Sequence, residues 1–279
     1  MADLSSAGDR LELGKISSYP ESYDPNQLVA IPRKLARDGL SQLGDSVPLN
    51  GVDIWTAYEV SWLSPKGVPV VAVARFSIPA SSENIVESKS FKLYLNSFNG
   101  TKFSDWGSVK GTMKSDLSAA ANGDVTVELF SLEDALEAFK VNAVSGHCVD
   151  HEDIEVNCYQ PDANLLQFNC SEVVNETLYS NLLKSNCPVT GQPDWATVVF
   201  EYQGAKISPA SLLAYVVSFR SHQDFHEHCV ERMFCDLWET GLFTQLSVYA
   251  RYTRRGGLDI NPFRSHVATQ VNDLRLVRQ

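Results

Sequence analysis

The chain has 279 residues, of which 44% are hydrophobic, and its formal net charge is −11. This length and composition support one large packed domain or two of ordinary size. The negative charge disfavours RNA or DNA as a partner, and no apolar run reaches the length of a membrane-spanning helix.

The six cysteines are scattered, and residues 1–10 are polar and acidic, unlike a secretory signal sequence. Cysteines without a regular spacing suit a reducing compartment better than a disulfide framework. We therefore expect a cytoplasmic protein that acts on a small molecule, with no nucleic acid and no membrane as partner.

The first half of the chain predicts an irregular arm followed by a small α+β module. Residues 1–50 are rich in Ser, Pro, Asp and Gly, which is typical of an arm. Within the module, residues 51–135, two strands are predicted at 54–63 and 70–78. Apolar residues at helical spacing predict a helix over 87–98. A weakly patterned segment up to Gly123 is interpreted as a further helix, and 125–130 as a strand.

The second half repeats this order. Residues 136–180 are interpreted as a linker with added strands, and 181–279 as a second module. That module has a strand at 196–202, helices at 212–219 and 224–238, and a closing strand at 246–252. In this alignment Glu87 falls opposite Glu227, each at a helix start. The repeated β-β-helix-helix-β order predicts two similar modules.

The segment 185–195 is the candidate catalytic loop. It places Cys187 seven positions before Asp194, with two prolines and a glycine between them that favour a turn. A thiolate is the reactive form of cysteine, but the charge of Asp194 opposes its formation. An apolar pocket beside Trp195 would ease this conflict by keeping Asp194 protonated and able to donate to substrate. On spacing alone, a buried structural cysteine in a proline-bounded loop near a solvated aspartate is the more common arrangement.

The run His226-Glu227-His228-Cys229 offers possible zinc ligands. On a helix, however, residues two apart point roughly 200° away from each other, so both histidines cannot bind one metal, and we expect no metal site. His226 could also be a hydrogen-bonded core residue. Glu227 either complements the helix dipole or accepts hydrogen bonds from a guanine-like ring.

Two segments are locally basic, 87–92 and 251–257. Each is either a solvated face or a phosphate-binding site, with Gly256 and Gly257 allowing a ligand close to the backbone. Neither a dinucleotide-binding glycine pattern nor a P-loop is present.

Together these motifs resemble the NADPH-dependent nitrile reductases that act on 7-cyano-7-deazaguanine. The likeness is carried by Glu-Ser-Lys-Ser-Phe-Lys-Leu-Tyr at 87–94, Ser-Asn-Cys-Pro at 185–188, Gln-Pro-Asp-Trp at 192–195, Phe-His-Glu at 225–227 and the segment 249–262. It covers most of both halves and matches the long, two-module branch. The resemblance implies an α+β fold of two tandem tunnelling-fold modules, antiparallel sheets with helices packed on one face.

The resemblance also implies roles for individual residues. Cys187 would attack the nitrile carbon to form a covalent thioimide, Asp194 would protonate the nitrogen, and His226 would assist. The implied substrate-binding residues are Val86, Glu87, Ser88, His226 and Glu227. The implied NADPH-binding residues are Ser88, Lys89, Arg255 and Gly256. Two NADPH per turnover would give the aminomethyl product, a queuosine precursor for tRNA, and the enzyme would be a homodimer.

Two other hypotheses remain open at this point. One is a zinc-dependent purine or pterin hydrolase of the same superfamily. Stoichiometric zinc that a chelator removes would favour this hypothesis. The other is a non-catalytic purine-binding module, in which Cys187→Ala would bind ligand normally and no NADPH would be consumed.

Overall fold

The computed structural model describes residues 19–40 and 46–279, so the predicted arm lies partly outside the described residues. The chain forms two compact units, each assembled from several segments. Of the described residues, the first unit comprises 19–36, 52–140 and 254–259, and the second comprises 37–40, 46–51, 141–253 and 260–279. The module boundaries expected from the sequence stay a prediction.

The first unit is an antiparallel sheet with helices packed on it. Strands are β1 (Ala30–Pro32), β2 (Asn50–Leu63), β3 (Pro69–Pro79), β4 (Asn84–Val86) and β5 (Thr126–Phe130). Helices are α1 (Lys34–Arg37), α2 (Ser88–Ser97), α3 (Trp106–Ala121) and α4 (Leu132–Ala138). The main sheet has the order β5-β3-β2, and β1 pairs with β4. In the core, the Phe91 ring meets Trp55 and Phe76 edge to face at 5.1 and 5.0 Å between centroids.

The second unit has a larger sheet of the order β10-β9-β8-β7-β6. Its strands are β6 (His147–Cys148), β7 (Phe168–Asn186), β8 (Pro193–Ile207), β9 (Phe243–Tyr252) and β10 (Leu258–Ser265). Its helices are α5 (Pro209–Ser218) and α6 (His226–Trp238). Because side chains alternate along a strand, Val198, Phe200, Val248 and Ala250 all face the helices and form one core with them.

The α+β class with antiparallel sheets is confirmed, as are the predicted strands and helices of both halves, with shifted ends. The uncertain segment before Gly123 is helix α3, which begins in a capping box between Asp105 and Ser108. The alignment of Glu87 with Glu227 is wrong. Glu87 precedes α2, the first long helix of its unit, whereas Glu227 lies inside α6, the second long helix of the other.

The correct correspondence follows from matching hydrogen bonds. The Tyr94 hydroxyl donates to Asp116, and the Tyr215 hydroxyl donates to Asp236, each at 2.7 Å. Both tyrosines lie on the first long helix of their unit, α2 or α5, and both aspartates on the second, α3 or α6. Glu87, the N-cap of α2, therefore corresponds to Ser208, the N-cap of α5.

No helix in the described part of the chain is long and apolar enough to cross a membrane. All six cysteines are free thiols.

Candidate active site

The segment that contains Cys187 is a tight hairpin between β7 and β8. Ser185 pairs with Asp194, and Asn186 pairs with Pro193. The Cys187 amide donates to the Gln192 carbonyl at 2.9 Å, and the Cys187 carbonyl accepts from the Gly191 amide at 3.0 Å. Gly191 has a φ of +67°, in the left-handed region where glycine is favoured. The prolines and glycine thus produce the turn that the sequence predicts.

This hairpin holds the residue that carries the thiol close to the residue that carries the carboxyl group. Alternation along the paired strands directs Ser185 and Asp194 toward the face that α6 covers, and Cys187 follows in the turn that joins β7 to β8. Cys187 and Asp194 are 4% and 3% exposed, so both are buried.

His226, the first residue of α6, joins this group. Its Nε2 atom lies 3.4 Å from Oδ2 of Asp194. Its ring is stacked on Tyr252 of β9, with 3.7 Å between centroids and 2° between the planes. The Tyr252 backbone is in turn held by Asn261, whose side-chain oxygen accepts from the Tyr252 amide at 3.0 Å. The structure therefore pairs Asp194 with His226 beside the hairpin that contains Cys187, and it adds Tyr252, which sequence reasoning missed.

Cys229 is a second thiol to consider and lies on α6, the helix of His226. Its surroundings disfavour the reactive thiolate form. It is fully buried, and burial, followed by the charge of Asp224, raises the pKa of its thiol well above the usual value. A thiol held in its protonated form is a poor nucleophile. The role left open for Cys229 by the sequence is therefore a core position.

Glu227 and His228 are each 3% exposed. His228 Nδ1 lies 2.9 Å from Oδ1 of Asp224, so His228 is engaged away from the Asp194–His226 pair. Over residues 19–40 and 46–279, no three His, Cys, Asp or Glu side chains converge in the manner of a metal site.

The predicted substrate residues of the first unit lie at the start of α2. Glu87 is fully buried, and its carboxylate caps the helix by accepting from the amides of Lys89 at 2.8 Å and Ser90 at 2.7 Å. Burial raises the pKa of Glu87, opposed by these two hydrogen bonds and by the charges of Lys92 and Lys89. Val86 is buried at the end of β4, and Ser88 is the first residue of α2.

The predicted NADPH residues belong to the first unit as well. Gly256 has a φ of +57° and is exposed, and a Cβ placed on it would lie 3.5 Å from the Lys92 ammonium. Lys89 and Arg255 are partly exposed. A glycine turn next to lysine ammonium groups can approach a phosphate closely, so these residues fit a phosphorylated dinucleotide.

A cavity of about 520 Å³ lies on the other face of the sheet in the second unit, lined by residues such as Val199, Glu201, Ser247 and Tyr249. These odd-numbered positions point away from the helices. None of the predicted site residues lines this cavity, so it is not the candidate active site.

Comparison with known proteins gave three findings. A family model described as nitrile reductase, 7-cyano-7-deazaguanine-reductase N-term, matches residues 19–129, and one described as QueF-like protein matches 193–271. The NADPH-dependent 7-cyano-7-deazaguanine reductase of Saccharophagus degradans is 53% identical over 269 residues, covering 96% of this chain and 99% of that protein. The crystal structure of an apo archaeosine synthase QueF-Like aligns over 36% of this chain and 96% of its own at 17% identity, with a TM-score of 0.29.

Proposed function

The chain belongs to the family of NADPH-dependent 7-cyano-7-deazaguanine reductases, and on that premise we propose how its residues carry out the reaction. It is an oxidoreductase that reduces the nitrile of 7-cyano-7-deazaguanine in queuosine biosynthesis. The observation that carries the proposal is the Asp194–His226 pair, which lies beside the β7–β8 hairpin that contains Cys187.

In the first step, the Cys187 sulfur bonds to the nitrile carbon while one π bond of the nitrile breaks. The nitrile nitrogen takes up a proton, and the product is a thioimide on Cys187. The proton that the thiol loses balances the one that the nitrogen gains. Asp194, with His226 Nε2 at 3.4 Å, is the group placed to carry this proton.

The other predicted residues hold the substrate. A buried carboxylate such as Glu227 can accept two hydrogen bonds from the donor edge of a guanine-like base. Val86, Glu87 and Ser88 are proposed to bind substrate as well.

NADPH supplies hydride when it is bound. Ser88, Lys89, Arg255 and Gly256 are proposed to hold it, and Lys92 lies close enough to Gly256 to take part. Reduction of a nitrile to an aminomethyl group requires two hydrides, so we propose that two NADPH are consumed per turnover.

We further propose that the enzyme is a cytoplasmic homodimer. The resemblance to the long two-module branch supports the dimer, and the free cysteines suit a reducing compartment. Sedimentation of the purified protein should give twice the chain mass of 30.9 kDa, whereas a single-chain mass would contradict the dimer.

NADPH oxidation with 7-cyano-7-deazaguanine tests the residue roles. Cys187→Ala should lower turnover at least about 1,000-fold because it removes the nucleophile. Cys229→Ala is the matched control: a thiol on the same side of the sheet, expected to keep turnover within a few fold. A chelator should leave the wild-type rate unchanged. Equal loss in the two variants, or loss with the chelator, would contradict the proposal.

A further inference from the structure

The loop before α6 is hydrogen-bonded to the end of β7, the strand that directly precedes the nucleophile. Asn186, the last residue of β7, directly precedes Cys187. Its amide donates to the His222 carbonyl at 2.8 Å, and its carbonyl accepts from the Asp224 amide at 3.1 Å. Its side-chain amide donates to the His222 carbonyl as well, at 3.2 Å. The position of the loop is therefore set by the residue next to Cys187.

The same loop is fastened to α6 by side chains. Oδ1 of Asp224 lies 2.9 Å from Nδ1 of His228 and also accepts from the Phe225 amide at 2.8 Å. His228 is 3% exposed, and the Phe225 ring packs edge to face against the imidazole at 5.6 Å. Within the described chain, Nε2 of His228 has no hydrogen-bond partner, so the ring is oriented through Nδ1.

This contact matters because α6 begins without an N-cap side chain. Its N-cap residue is Phe225, which makes no side-chain capping hydrogen bond. By contrast α2, α3 and α5 are capped by Glu87, Asp105 and Ser208. An uncapped first turn leaves backbone amides unsatisfied and tends to fray. Here the first turn carries the two residues proposed to meet the substrate, His226 and Glu227.

We propose that Asp224 and His228 are positioning residues for nitrile reduction, which hold the first turn of α6, and with it His226 and Glu227, in register with Cys187. This inference rests on the proposed function. It assigns no contact with substrate to either residue. It gives His228 a role that the sequence left open. Through Asn186, it also links the position of the first turn of α6 to that of Cys187.

The test is a single-turnover measurement of the rate at which 7-cyano-7-deazaguanine adds to the protein, at saturating substrate without NADPH. His228→Leu keeps a buried side chain of similar size but removes the donor, and should slow addition about 100-fold, the effect of misplacing a reacting group by about 1 Å. His228→Asn retains a donor near the position of Nδ1 and should recover most of the rate.

Tyr215→Phe is the matched control, because it removes a buried hydrogen bond from the other end of α6, at Asp236. It should add substrate within about threefold of the wild-type rate although it lowers the melting temperature. If His228→Leu does not fold, Asp224→Ser at the partly exposed end of the pair replaces it in the same comparison.

The outcomes separate the inference from the function beneath it. Failure of the wild type to form an adduct would overturn the proposed function. An adduct at the wild-type rate in His228→Leu or Asp224→Ser would overturn the positioning role alone. So would an equal slowing in Tyr215→Phe, since the loss would then follow stability, or a failure of His228→Asn to recover the rate.

Discussion

The imidazole of His226 lies between an aromatic ring and a carboxylate, and this fixes which of its nitrogens can take part in proton transfer. The stack on Tyr252 sets the ring plane, and Nε2 points to Asp194. Nδ1 is buried and makes no hydrogen bond within residues 19–40 and 46–279. In the proposed mechanism, His226 would therefore exchange a proton through Nε2, next to the acid proposed to protonate the substrate.

Two other histidines lie close to Asp224, and their pKa values are shifted in opposite directions. Burial lowers the pKa of His222. Burial also acts to lower the pKa of His228, but the hydrogen bond with Asp224 and the charges of Glu231 and Glu227 outweigh it, so that pKa is raised. A raised pKa means that the folded state binds the proton more strongly than the unfolded state does.

The stabilisation from His228 should therefore be complete below about pH 6.5, its unfolded value, and be lost as the pH rises through the folded pKa. His228→Asn does not titrate, so its melting temperature should fall less than that of the wild type over this alkaline range. Thermal melts at stepped pH check this. Parallel curves for the two proteins above neutral pH would contradict it.

At the scale of secondary-structure elements, both units contain a tyrosine–aspartate hydrogen bond between their two long helices, α2 and α3 or α5 and α6. The surroundings of the two aspartates differ. Asp116 accepts from Tyr94 and also from Tyr23, each at 2.7 Å. Asp236 accepts from Tyr215 at 2.7 Å, and its ion-pair partner Arg232 lies 3.9 Å away. Burial raises the pKa of Asp236.

Removal of the tyrosine hydroxyl should consequently cost more in the second unit. We expect Tyr94→Phe to lower the free energy of unfolding by about 1 kcal/mol and Tyr215→Phe by about 2–3 kcal/mol, since a buried carboxylate loses its nearest donor. Chemical denaturation of both variants measures the difference. A larger loss for Tyr94→Phe would show that Tyr23 does not compensate.

The sequence predicts elements well where a local pattern decides them. Helices α2 and α6 follow from apolar spacing, and the hairpin at Cys187 follows from its prolines and glycine. Strand β10 was not predicted, because Asp259, Asn261 and Pro262 argue against a buried strand. They are tolerated because distant groups satisfy them: Tyr58 donates to Asp259 at 2.8 Å, and the Tyr252 amide donates to Asn261.

The helix alignment failed for a related reason. The signal that relates the units is the pattern Asp-x-Asn-x-Leu, in which Asp24 and Asp162 each cap a short 3-10 turn. In each unit, a backbone amide just after this turn donates to a serine of the first long helix. Val29 donates to Ser90 of α2, and Gln167 donates to Ser211 of α5. These correspondences are polar and separated by tens of residues, so an apolar pattern cannot reveal them. The site was partly predictable in the same sense: motifs give Cys187, Asp194 and His226, whereas packing gives Tyr252 and Asp224.

At the scale of the whole molecule, a buried ion cluster joins distant parts of the second unit. The Glu231 carboxylate receives Arg264 at 2.7 Å and Arg37 at 2.6 Å. Glu231 and Arg264 are both fully buried. The cluster therefore links α6 to β10 and to Arg37. Within the buried Glu231–Arg264 pair, neither charge can reach water if the other is lost.

Glu231→Gln should lower the free energy of unfolding by about 3–5 kcal/mol, because it removes the buried carboxylate charge that lies 2.7 Å from Arg264. Glu172→Gln is the surface control: its pair with Lys206, at 2.9 Å, is largely solvated and should contribute at most about 1 kcal/mol. Denaturant titrations of the two variants give the comparison. Similar losses in both would contradict the assignment of stability to the buried cluster.

The central claim is that one thiol of this chain becomes covalently bonded to the carbon of a nitrile. Intact-protein mass spectrometry after addition of 7-cyano-7-deazaguanine without NADPH tests it most directly. We predict a single adduct of the full substrate mass on the wild type and on Cys229→Ala, and none on Cys187→Ala. An unmodified wild type, or an adduct that persists in Cys187→Ala, would contradict the account.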